Sequence, residues 1–206
     1  MPLLTDADAQ NIEALIQYVE TNTAAEIVVI EAAACGAWAA QRAWLAGGLV
    51  LAGGFALHAL LPSLSGGWLL LFEALLAPFA WWGAGHPGVL SRVIPDEAAT
   101  HAVDARARQL FAERGLYKTR ARGGLLILIA DLERRVSILA DDGVHARLGP
   151  EEWRRDVDEI TSAIRAGRAA AGITGVIEQL GERLAEAFPS AEDDRDELGD
   201  AVLRVD

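Results

Sequence analysis

Asp141, Asp142 and His145 stand within five residues of one another, and Lys118, Arg120 and Arg122 lie a short way upstream. Two carboxylates with an imidazole can hold a divalent cation of the calcium or magnesium class, or pass protons in acid–base chemistry. Ammonium and guanidinium groups clamp phosphate. The pattern therefore offers Asp142 and His145 as catalytic groups, Asp141 and Asp142 as metal ligands, and Lys118, Arg120 and Arg122 as phosphate binders. A plainer reading competes with it. Asp142-Gly143 is turn chemistry, and the arginines are neutralised by neighbouring acids or lipid headgroups. Other chemistries are excluded by their missing motifs: there is no Walker or dinucleotide glycine loop, no HExxH and no nucleophile elbow. The lone Cys35 excludes an internal disulfide and a multi-cysteine zinc site.

These residues are useful together only if the chain positions them. Gly124–Ala130 is an almost wholly apolar run, the pattern of a strand covered on both faces. Asp131–Arg134 reads as a tight turn, and Arg135–Ala140 as a further strand hairpinned to the first. That hairpin brings the 117–122 loop and the 141–149 loop to one end of the sheet. Asp131 falls at the opposite end, about 25–30 Å from Asp141 at strand spacing, so the two cannot share a ligand. Asp131 and Glu133 read as turn-forming, solubilising acids.

The remaining elements alternate. Thr5 caps a first helix with a stripe of Ile12, Leu15, Ile16 and Val19, and Ile27–Ile30 is a short β-branched strand. Helices are expected over 97–114, stopped by Gly115, over 150–166, opened by Pro150, and over 175–188. The fold class is α/β, a small sheet sandwiched by helices and interrupted by a two-helix transmembrane hairpin. The organisation is a first domain segment at 1–36, the hairpin with its flanks at 37–94, the rest of the domain at 95–189, and an acidic, disordered tail at 190–206.

The hairpin follows from segregation of apolar residues. The chain is 52% hydrophobic yet 23% charged, and between Arg42 and His86 the one plainly ionised side chain is Glu73. Residues 43–61 and 67–84 each approach the length of one hydrocarbon layer, and five of six tryptophans gather at their ends. Gly48, Ala52 and Ala56 form a small-residue face suited to packing the two helices together, and His58 and Glu73 are placed to face one another. Arg42 and Arg92 flank the hairpin while its tip carries no Lys or Arg, which places both termini in the cytoplasm. No signal peptide is expected, since Thr5–Val19 is amphipathic. A net charge of −12 argues against nucleic acid as a partner. The expected partners are the lipid bilayer and other membrane proteins. A single lysine, Lys118, beside many arginines and alanines suits a bacterial source, hence an inner membrane.

Three stretches carry a resemblance: Ala25-Glu26-Ile27-Val28-Val29-Ile30, Gly123–Ala130, and Asp131-Leu132-Glu133-Arg134-Arg135-Val136-Ser137-Ile138. Together they resemble the TPM domain family. Asp142–Gly149, Trp153 and Leu184–Pro189 are similar to a bacterial membrane subgroup of it. The resemblance implies the sandwich fold. Members of the family include acid phosphatases, calcium binders and proteins serving photosystem repair or receptor complexes. This chain has Asp141 where soluble members typically carry glycine. Whether it is an enzyme stays open. A membrane-anchored binding or scaffold module comes first, a divalent-cation-dependent phosphatase second, and an accessory subunit of a membrane transport complex third.

Overall fold

The computed structural model describes residues 3–148, 150–190 and 202–205, with side chains at 150–152 excepted. Two compact units are formed, one from Met1–Cys35 with Ala99–Asp206, the other from Gly36–Ala98.

In the first unit, α1 (Asp6–Glu20) starts at Thr5, whose hydroxyl accepts from the Asp8 N–H while the Asp8 carboxylate accepts from the Thr5 N–H. This reciprocal capping satisfies two donors that a helix start leaves open. β1 (Glu26–Ala32) follows. The chain then leaves for the second unit, which holds α2 (Ala39–Leu60), α3 (Gly66–Ala84) and the single turn α4 (Pro87–Leu90). It returns along α5 (Asp96–Glu113), with Gly115 at φ 71° stopping the helix. A 3-10 turn at Leu116–Lys118 precedes β2 (Gly124–Ala130), β3 (Arg135–Ala140) and the short α6 (Asp142–His145). Then come α7 (Pro150–Arg165), α8 (Ala169–Ala187) and β4 (Leu203–Val205).

The sheet order is β3-β2-β1-β4. β2 and β4 run parallel to β1, and β3 returns antiparallel to β2, as the hairpin pattern predicts. Strand periodicity divides the core into two layers. Ile27, Val29, Leu125, Ile127 and Ile129 face α1, α7 and α8, meeting Ile16, Ile160, Ile173 and Leu180. Val28, Ile30, Leu126 and Leu128 face α5, meeting Val103, Ala107 and Leu110. With both faces covered, β1 and β2 are buried at every position. That is why their sequences read as continuous apolar runs rather than alternating ones.

Two boundaries differ from expectation. α8 begins at Ala169, six residues before the expected start, because the break falls at Gly167 with φ 72°. The tail does not end as an irregular segment either. Leu203–Val205 pairs with β1, its branched residues alternating onto the core, while residues 191–201 and 206 lie outside the described residues.

In the second unit, α2 and α3 are 22 and 19 residues long with mean hydropathy 1.6 and 1.3, long and apolar enough to cross a membrane. α2 starts at Ala39, ahead of the apolar span, since nothing in Ala39–Arg42 breaks a helix. Leu51, Phe55, Phe79 and Trp82 are all more than two-thirds exposed. The helices meet through Ala46, Ala80 and Ala84, with Val50 against them. At the Gly53-Gly54 step a Cβ would strike Leu76 Cδ2 or Glu73 Oε1. The expected Gly48, Ala52 and Ala56 face is not this seam. Nothing lies within 4 Å of a Cβ built at Gly48, because the contact phase runs through positions 46, 50, 53 and 54. His58 and Glu73 are not joined by a hydrogen bond or ion pair either. Glu73 rests on Gly54, a helical turn short of the exposed His58. Arg42 closes the open end of the hairpin, donating to the Trp81 carbonyl at 3.0 and 3.1 Å with its guanidinium over the Trp81 ring.

Candidate functional site

Both ends of the sheet gather charge. At the end where β2 begins, Arg122 has φ 52°, a left-handed conformation that turns the loop sharply into β2. Its Nη1 donates to the Tyr117 carbonyl at 2.8 Å. The register that pairs Leu125 with Ala140 places Asp141 beside it. Asp141 is 4% exposed and caps α6, its Oδ1 accepting the Asp142 N–H at 2.8 Å. Its Oδ2 stands 3.0 Å from Arg122 Nε, an ion-pair distance at which the N–H is not aimed for a hydrogen bond. Arg122 Nη2 donates to Asp142 Oδ2 at 3.2 Å. α6 lies so close to the loop that a Cβ at Gly143 would stand 2.5 Å from the Arg122 carbonyl oxygen.

Three of the expected residues are thus brought together, Arg122, Asp141 and Asp142, and they neutralise one another. Of the other three, two lie against aromatic rings. His145 is exposed, and its ring meets Trp153 edge-on at 6.0 Å. The Lys118 ammonium sits 5.4 Å from the Tyr117 ring centroid. Arg120 is exposed. Among the described residues no group of three His, Cys, Asp or Glu side chains could hold a metal ion.

The opposite end, where parallel β1 and β2 finish, holds what the sequence reading passed over. Glu31 is 2% exposed on the last turn of β1, its Oε1 accepting the Leu4 N–H at 2.9 Å. Asp131 and Glu133 are not simply solvated turn acids. The Asp131 Oδ1 accepts the Leu3 N–H at 3.2 Å, and buried Glu133 accepts the Cys35 N–H at 2.9 Å. Burial, and then the neighbouring Glu31 carboxylate, push Asp131 up to about 7. Burial, and then Glu133, push the Cys35 thiol up to about 12. A cation from β4 enters this acidic group. Arg204 of β4 donates from Nε to Glu31 Oε2 at 2.9 Å, from Nη1 to Asp6 Oδ1 at 2.6 Å and from Nη2 to the Leu4 carbonyl at 3.2 Å. The hydrogen bonds to Asp6 and then Glu31 raise its pKa further. A signal was present in the sequence: Val202-Leu203-Arg204-Val205 alternates inside an otherwise acidic tail.

The TPM domain family model matches residues 92–183. That span holds α5, β2, β3 and the Arg122–Asp141 junction. The fold also resembles a solved structure, the NMR structure of the BA42 protein from the psychrophilic bacterium Bizionia argentinensis. The two share 20% identity with a TM-score of 0.60, over 98% of this chain and 95% of that one. At such identity the likeness speaks to fold alone. No curated protein matches the chain. Through residues 92–183, somewhat under half of its length, this chain is similar to the TPM domain family.

Proposed function

We propose that the chain is a TPM-domain binding module anchored in a bacterial inner membrane by the α2–α3 hairpin. The observation that carries this reading is the pair of long apolar helices, which leave Leu51, Phe55, Leu70, Phe79 and Trp82 largely exposed within one continuous unit. Water does not tolerate an apolar surface of that extent, whereas a hydrocarbon layer of ~30 Å accepts helices of this length. Arg42 and Arg92 on the flanks, with no Lys or Arg at the tip, support cytoplasmic termini. Binding is favoured over catalysis because Arg122 and Asp141 neutralise each other as an ion pair, and His145 rests against Trp153 rather than joining them. The partners fitting this reading are the bilayer and other membrane proteins.

The test has two arms. Membranes from expressing cells are washed with alkaline carbonate, and retention of the chain in the pellet is expected; release into the supernatant refutes the anchor. The detergent-purified protein is then given a phosphate ester with calcium or magnesium. No turnover is expected, and cation-dependent turnover lost in both Asp142→Asn and His145→Ala would replace the binding reading with a phosphatase.

A further inference from the structure

The sheet has two edges, and the one along β1 is closed by only three residues. Leu203, Arg204 and Val205 lie opposite Ile30, Glu31 and Ala32 in parallel register. The Ala33 N–H donates to the Val205 carbonyl at 3.0 Å, and the Val202 N–H donates to Glu13 Oε1 at 2.9 Å. Strand alternation sends Leu203 and Val205 onto the apolar layer beneath α5. It sends Arg204 to the other face, where Glu31, Asp6 and the Leu4 carbonyl receive its guanidinium.

The side chains of this short strand thus meet two features of the domain in alternation, the apolar layer, the acidic group, and the apolar layer again. The acidic feature is built without help from β4: Glu31 comes from β1, Asp6 from the first turn of α1, and Leu4 from the segment before it. Glu31 is nearly fully buried, with one oxygen held by Leu4 and the other directed at the strand, so its second oxygen is satisfied by whatever strand lies on this edge. Main-chain pairing supplies affinity at such an edge, and alternate side-chain pockets supply selectivity.

We propose that the β1 edge is a recognition site for an extended apolar–Arg–apolar segment, occupied in cis by Leu203–Val205 and open to the same motif from a partner protein in trans. The inference rests on the binding reading and gives it a partner class. The three-residue ladder is short, and the Arg204 side chain is 44% exposed, so the cis strand can exchange. A tethered strand still enjoys an effective concentration of about millimolar, which suppresses a free competitor until the cis strand is weakened.

The experiment uses the full chain in detergent and a fluorescein-labelled peptide, acetyl-Ala-Val-Leu-Arg-Val-amide, read by fluorescence anisotropy. Arg204→Glu places a carboxylate against Glu31 and Asp6 and should raise peptide affinity at least ~10-fold over the parent. Leu203→Asp weakens the strand from its other face and should act alike, which covers the case in which the first variant fails to fold. Replacing the peptide arginine by glutamine should cost ~10-fold, and adding Glu31→Gln to the variant should abolish that preference. A folded variant that ignores the peptide, or binds it regardless of its arginine, overturns the proposal. Dimers formed by tail exchange, seen by light scattering, would also overturn it by making a second copy the occupant. None of these readouts involves membrane retention or ester turnover, so failure here is separable from failure of the anchor or of the binding reading.

Discussion

Asp131→Asn isolates the electrostatics at the carboxyl end of the sheet. In the folded protein Asp131 is half-buried beside Glu31, with Leu3 N–H on Oδ1 and Arg204 engaged on the far oxygen of Glu31. The Asp131 pKa rises from its ordinary 3.8 to about 7. A raised acid pKa means the folded state keeps a proton that the unfolded chain gives up. Stability is therefore fully present below about pH 4 and falls as pH climbs towards 7, flattening above it. Full linkage over that interval would be worth ~4 kcal/mol, and solvent screening at the half-exposed Asp131 reduces it to about 1–2 kcal/mol. Asparagine mimics the protonated acid, since its amide can still accept from Leu3 and donate to Glu31 but carries no charge. Thermal melts by circular dichroism in a nonionic detergent, at steps from pH 4.5 to 8.5, should show the parent losing stability and the variant nearly flat. At pH 8 the variant should melt higher by about 2–8 °C. Parallel curves for the two proteins, or a less stable variant at pH 8, would refute the shared-proton account.

Two further outcomes follow from the same packing. Gly124→Ala would drive a Cβ into the Leu116 carbonyl oxygen, a backbone atom with no rotamer to yield, and should cost about 1–3 kcal/mol in the same melts. Cys35, with its thiol near 12, should react with iodoacetamide at pH 8 ~1000-fold more slowly than an ordinary cysteine; mass spectrometry of timed samples checks this, and rapid labelling of folded protein would contradict it.

The strands and their layers were legible because burial on both faces writes itself as an unbroken apolar run, and Ile27–Ile30 and Leu125–Ile129 are such runs. The meeting of Arg122 with Asp141 was legible too, since a hairpin fixes which loops share an end. What that meeting does was not. Whether a carboxylate and a guanidinium converge on a ligand or on each other depends on a left-handed residue at 122 and a helix cap at 141, and neither leaves a composition signal. Spacing likewise marked small residues along α2 without telling which phase faces α3, so Gly48 stood where Gly54 belongs.

Glu31 was hidden for the opposite reason. An acid closing a buried strand reads as a strand boundary, and its partner lies at position 204, beyond any local window. Sequence patterns report elements that bury much apolar area, whereas a three-residue strand buries little. Its selectivity comes from one buried carboxylate, for which removal of a single partner is costly. The two ends of the sheet therefore share a logic: at each, a buried carboxylate is met by an arginine from within the chain. They differ in how the answer is attached. Arg122 is bound into the loop that begins β2, so its pairing with Asp141 is fixed by the fold. Arg204 arrives on an edge strand held by three residues, so it is at the β1 edge, rather than at the Asp141–His145 loop, that this domain can trade an internal partner for an external one.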